Sequence, residues 1–140
     1  MKFLVVYYSR GGKTRRVAEV IAQQLGCEAV DISETPDVAG VDMLIVGTGV
    51  YPNFFWKKLR RFLNELPPVN KNKAAVFVTS GGPNPNTADF TGALEAKGYI
   101  IVSSFKCRGR FLFFNWDRPN EEDLENAKTF ANDLKKISGA

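Results

Sequence analysis

The chain has 140 residues, 44% hydrophobic and 24% charged, with a formal net charge of +4, which fits a single globular domain over residues 1–140. No apolar run approaches the roughly 20 residues of a membrane helix, so membrane insertion is not expected. The chain has no histidine, which excludes Ser-His-Asp and Cys-His catalysis and His-based zinc sites and points to a cofactor that carries the chemistry itself.

Residues 2–8, Lys-Phe-Leu-Val-Val-Tyr-Tyr, read as a buried strand, being too short for a signal peptide. The segment Ser9-Arg10-Gly11-Gly12-Lys13-Thr14 follows. From Thr14 the pattern turns helical, with Val17, Val20, Ile21 and Gln24/Leu25 on one face and Gly26 as C-cap. Residues 28–32 read as a short second strand, and Pro36 and Gly40 mark a loop. Residues 42–48 read as a third strand, whose lack of alternation predicts burial on both faces. Phe55, Leu59, Phe62, Leu63 and Leu66 share a helix face that Pro67-Pro68 ends. A fourth strand (73–79), a loop (81–86), a helix (87–97) capped by Gly98, and a fifth strand (99–105) follow. Asn120 is a suitable N-cap for a last helix with Glu121, Glu122 and Asp123 in its first turn. Leu124, Ala127, Phe130, Ala131, Leu134 and Ile137 form its inner face, and Lys135 and Lys136 suit its C-terminus. Acids at a helix N-terminus explain Glu121 to Glu125 better than a metal site does.

Alternating strands and helices predict an α/β fold with a parallel sheet covered on both faces. Ligands of such sheets sit at the carboxyl ends of the strands, where the strand order reverses. That rule brings residues 9–14, 48–54 and 80–90 to one edge. At residues 9–14 a loop of small and hydroxyl residues opens a helix, where free backbone amides and the helix dipole suit a phosphate. Ser9 and Thr14 add hydroxyls, and Arg10, Lys13 and Arg15 add cations. Gly12-Lys13-Thr14 resembles the end of an NTP-binding loop, but Tyr7 stands where that loop needs its first glycine. The strand over Met43-Leu44-Ile45-Val46 has its acid, Asp42, at the wrong end to help hold Mg²⁺. The dinucleotide fingerprint fails because Gly11 and Gly12 are adjacent and no third glycine follows in register.

The loop resembles the phosphate loop of the flavodoxin family, [ST]-x-[ST]-G-x-T. Ser9, Gly12 and Thr14 match its first, fourth and sixth positions, Gly11 replaces the second hydroxyl, and Lys13 fills a variable position. Gly47-Thr48-Gly49-Val50-Tyr51 is similar to the family's second flavin loop and Thr79-Ser80-Gly81-Gly82 to its third. Residues 107–110 and 118–124 resemble the approach to the last helix of short flavodoxin-like proteins. The resemblance implies a three-layer sandwich with a five-stranded sheet of order 2-1-3-4-5. It implies FMN as cofactor, its phosphate at Ser9, Arg10, Gly11, Gly12, Lys13 and Thr14. Thr48, Gly49, Val50, Tyr51 and Asn53 then line one side of the ring, and Ser80, Gly81 and Gly82 the other. Tyr51 is the first candidate to stack on the ring, with Asn53, Phe54 and Trp56 next. Gly81 and Gly82 let backbone approach it closely.

Charge departs from the family, whose electron carriers are strongly acidic. Lys57, Lys58, Arg60 and Arg61 follow the second loop, and Arg108 and Arg110 follow the fifth strand. These cations are expected to raise the flavin potential and to favour partners with acidic docking surfaces. A nucleic-acid role is not expected, because the charge is modest and no basic stripe interleaves with aromatics. Cys27 and Cys107 lack metal or CxxC spacing and read as reduced thiols of a cytoplasmic protein. The apolar segment Phe111-Leu112-Phe113-Phe114-Asn115-Trp116 suits a partner surface, a homodimer contact, a flap beside the flavin, or an extension packed on the fifth strand. Functionally, an electron carrier between redox partners comes first. An FMN-dependent oxidoreductase acting on a quinone or another small acceptor is the alternative, and a module of a larger redox complex is a third.

Overall fold

A computed structural model describes residues 2–8, 13–34, 36–49, 56–80, 88–108 and 121–137. Strands β1 (Phe3–Tyr8), β2 (Ala29–Asp31), β3 (Met43–Gly49), β4 (Lys73–Ser80) and β5 (Ile100–Arg108) form a five-stranded parallel sheet of order β2-β1-β3-β4-β5. Helices α1 (Lys13–Leu25), α2 (Trp56–Glu65) and α3 (Ala88–Ala96) lie in the crossovers, and α4 (Glu121–Ile137) follows β5. This is the flavodoxin-like α/β fold that the sequence predicts. Among its described residues, the crossover from β2 to β3 carries a single 3-10 turn, Ile32–Glu34.

Successive residues of a strand face opposite sides, so the sheet feeds two cores. Val5, Tyr7, Met43, Ile45, Ala75 and Phe77 pack under α1 and α4. Leu4, Val6, Leu44, Val46, Ala74, Val76 and Val78 pack with Leu59 and Leu63 of α2 and Leu94 of α3. Every residue of β3 is buried, as its unbroken apolar run predicts for a strand covered on both faces.

The buried stripe of α1 is Thr14, Val17, Ala18, Ile21, Ala22 and Leu25, the i, i+3, i+4, i+7 spacing of one helix face. Val20 and Gln24, expected on that face, are only partly buried, and Ala18 and Ala22 take the sheet side. In α4, Ala127, Phe130, Ala131 and Leu134 are buried as predicted, and the Phe130 ring stacks on Phe105 of β5 with centroids 5.3 Å apart. Ile137, expected inside, is 38% exposed, because the helix ends there, with Lys73 Nζ donating to its carbonyl at 3.2 Å. Phe55 lies outside the described residues.

Both predicted glycine caps form. Gly26 has φ 72° and Gly98 φ 97°. In each, the glycine N–H and the following N–H reach back to carbonyls of the last turn: Gly26 to Gln23 and Cys27 to Ala22, Gly98 to Glu95 and Tyr99 to Leu94. This is the Schellman arrangement. Gly47 answers a different need. It pairs with Phe77 across β3 and β4, and a Cβ at Gly47 would land on the Phe77 ring.

Gly47→Ala should therefore lower stability by about 1–3 kcal/mol through overpacking, read as a reduced denaturant midpoint with an unchanged slope. Cys27, at the end of α1, is half-buried, and burial pushes its thiol up to about 11. Its alkylation at pH 8, followed on the Cys27 peptide, should run roughly 100-fold slower in the folded protein than in the unfolded one. The sign also fixes a pH effect. The folded state keeps the proton that the unfolded thiol releases near its ordinary pKa, so stability falls from about pH 9 toward 11. Cys27→Ser should flatten that decline.

Candidate functional site

Parallel register sets where the chain leaves the sheet. Tyr8 ends β1 beside Thr48, and one step further Gly49 of β3 pairs with Thr79 of β4. The crossovers that follow β1, β3 and β4 all depart from this edge, and α1, α2 and α3 begin on it. From here α1 runs back over one face and α2 over the other. The crevice between them is where a doubly wound sheet binds its ligand.

Of the candidate residues, Thr14, Thr48 and Gly49 are described in full, and Lys13 and Ser80 by their backbone. Lys13 opens α1, Thr48 and Gly49 end β3, and Ser80 ends β4, so these five converge on one edge as expected. Ser9, Arg10, Gly11, Gly12, Val50, Tyr51, Asn53, Gly81 and Gly82 lie outside the described residues, as do Phe54, Arg110 and the 111–116 segment.

Thr14 is the first residue of the buried stripe of α1. Thr79 follows Phe77 by one pleat in β4, which turns both toward α1. Their hydroxyl oxygens meet at 2.7 Å. The two residues are only 1% and 5% exposed, so the bond is shielded from competing water. Thr48, 1% exposed, donates its hydroxyl to the Gly49 carbonyl at 3.0 Å. Thr79 opens the segment that resembles the third flavin loop, but the sequence assigned only Ser80, Gly81 and Gly82 of it to the cofactor. The signal that would have found it is its odd register position, one pleat beyond the core residue Phe77 and facing α1.

The electrostatics at this edge are positive. The first turn of α1 contains no acid and carries Lys13, Arg15 and Arg16, although a helix N-terminus favours acids. Arg15 Nε donates to Glu19 Oε1 at 2.7 Å, but both side chains are more than half exposed, so the pair holds little energy. Burial pushes the Tyr7 phenol up, opposed by the Arg15 charge. The first turn of α2, after Trp56, carries Lys57 and Lys58 and also has no acid. The acids of α4, by contrast, do sit in its first turn.

A cleft of about 770 Å³ lies between the 3-10 turn and α2, lined among others by Ile32, Val38, Phe62 and Leu66. It exists because no full helix fills the β2–β3 crossover. Its lining includes Asp31 and Glu65 as well as Lys58 and Arg61, unlike the acid-free start of α1. Among the described residues, no helix is long and apolar enough to cross a membrane.

Comparison with known proteins agrees with this geometry. The family model described as Flavodoxin domain matches residues 4–100. An uncharacterized protein of Methanocaldococcus jannaschii is 31% identical over 97% of this chain and 99% of its own length. Among solved structures, oxidised Flavodoxin 2 from Bacillus cereus superposes with a TM-score of 0.76 at 19% identity, covering 98% of this chain and 99% of its own. A flavodoxin from the domain Archaea superposes with a TM-score of 0.71 at 15% identity over the whole of both chains. The family model over residues 4–100, with a sheet order in agreement, places this chain in the flavodoxin family.

Proposed function

We propose that the protein binds FMN and, in the cytoplasm, carries electrons between redox partners. The observation that carries this reading is the start of α1. There a buried threonine hydroxyl, the first amides of a helix, which have no partner within the helix, and a first turn without acids meet beside the carboxyl ends of β1 and β3. This donor set suits a phosphate dianion, which accepts hydrogen bonds and is drawn to the helix N-terminus. Ser9, Arg10, Gly11, Gly12, Lys13 and Thr14 would hold the phosphate. Thr48, Gly49, Val50, Tyr51 and Asn53 would flank the ring on one side, with Tyr51 stacking, and Ser80, Gly81 and Gly82 on the other. Bound FMN supplies one- and two-electron transfer. The residues of the chain bind it, orient it and limit its contact with water. Family membership supports a flavin and an electron-transfer role.

The proposed partners present acidic docking surfaces. Lys57, Lys58, Arg60 and Arg61 are all exposed along α2, and the one acid of that helix is Glu65. Glu65 is 3.8 Å from Arg61, with both side chains more than 70% exposed, so the pair leaves the positive field largely intact.

One observation favours a second reading, an FMN-dependent oxidoreductase acting on a quinone or similar acceptor. Residues 81–89 contain no aromatic, and Phe90 belongs to α3, which would leave one ring face without a stacking side chain.

Titration of the colourless apoprotein with FMN, read by flavin fluorescence quenching, should show saturable one-to-one binding, and no binding would overturn both readings. Lys13→Ala should weaken FMN by roughly tenfold, the scale of one charge-assisted contact, and an unchanged dissociation constant would remove Lys13 from the phosphate site. Reduced protein should transfer electrons faster to an acidic than to a basic redox protein of similar potential at low ionic strength. The two rates should converge as salt rises. Rapid steady-state turnover of NAD(P)H with a small quinone would replace the carrier reading with the enzymatic one.

A further inference from the structure

We infer that Thr79 is a positioning residue for the flavin phosphate: its hydroxyl donates to the Thr14 hydroxyl and so leaves the Thr14 proton for the ligand. The inference rests on the FMN reading above. A hydroxyl has one proton to give and can accept twice. In the 2.7 Å contact between Thr14 Oγ1 and Thr79 Oγ1, one of the two protons is used, and the direction decides which residue keeps a free donor.

Three features set that direction. Threonine hydroxyls inside helices commonly donate to the carbonyl four residues back. Thr14 is the second residue of α1, so the residue four back precedes the helix and the helix ladder itself offers Thr14 no such acceptor. An anion at the helix start only accepts, so it draws the Thr14 proton and leaves the Thr14 oxygen to accept from Thr79. The pair is also almost fully buried, at 1% and 5% exposure. In such surroundings hydrogen bonds in a chain polarise one another, and the order Thr79 to Thr14 to phosphate strengthens each link. Thr79 then acts through Thr14 and has no need to touch the ligand. Its backbone continues into the third loop at Ser80, so the same bond fastens the phosphate end of the site to the strand that carries the ring end.

The test compares FMN with riboflavin, which has the same ring and no phosphate. Dissociation constants for both ligands are measured by fluorescence quenching on the wild type, Thr79→Val, Thr79→Ser, Thr14→Val and the Thr14→Val/Thr79→Val double variant. Thr79→Val should weaken FMN by about tenfold and change riboflavin by less than about twofold, and Thr79→Ser should restore FMN. The double variant should bind FMN no more weakly than Thr14→Val alone, the signature of a residue that acts through its partner. Equal loss for both ligands, an unchanged FMN constant, or additive effects in the double variant would each overturn the inference. A wild type that binds FMN no tighter than riboflavin would instead overturn the phosphate site of the proposed function, and this inference with it. If Thr79→Val does not fold, Thr79→Ala carries the same comparison of ligands.

Discussion

Parallel pairing of β1 with β3 is the constraint on which the rest of the molecule depends. Neighbouring parallel strands cannot be joined by a tight turn, so the chain must return over a face of the sheet each time. α1 takes it over one face toward β2, and α2 takes it over the other toward β4. Two crossovers that leave adjacent strand ends in opposite directions open a crevice between them. The position of the site therefore follows from strand order before any side chain is considered.

The same constraint makes polar groups near the crevice expensive. With helices on both faces, β3 is buried to its last residue and β4 as far as Thr79, beside the crevice. Thr14, Thr48 and Thr79 are the threonines buried there. Threonine suits such places because its methyl group packs while its hydroxyl finds a partner. Thr14 and Thr79 satisfy each other, and Thr48 donates to the Gly49 carbonyl. Among the described residues, no buried side-chain nitrogen or oxygen lacks a hydrogen-bond partner. Glycine performs a related task one pleat deeper: Gly47 gives its space to the Phe77 ring, which fills the core under α1.

The strands and helices were legible because each has a local cause. The unbroken apolar run of β3, the Pro67-Pro68 stop after α2, the two glycine caps and the acids opening α4 all act within a few residues of the element they define. Strand order and the common edge of the loops followed from chirality and switch-point rules together with the family resemblance. The failures came where a neighbour in space decides. The inner face of α1 centres on Ala18 and Ala22, with Val20 packed, only partly buried, at its margin. Ile137 fits the helical period but lies at the last residue of α4 and is 38% exposed. The pairing of Thr79 with Thr14 was hidden for the same reason. The two are 65 residues apart in sequence, and only the register of β4 aims one hydroxyl at the other.

Local rules that are broken carry their own information. A helix is stabilised by acids in its first turn and loses roughly 0.3–1 kcal/mol for cations placed there. α4 obeys, with Glu121, Glu122 and Asp123. α1 and α2, the helices on either side of the crevice, have no acid in their first turns and place lysines and arginines there. In a chain with 15 acids available, a shortage of carboxylates does not account for this. Adding cations to two positive dipole ends raises the free energy of the ligand-free state and concentrates positive potential over the crevice. An anion arriving there relieves that repulsion and gains the attraction of both helices at once, so part of its affinity comes from removing an unfavourable arrangement.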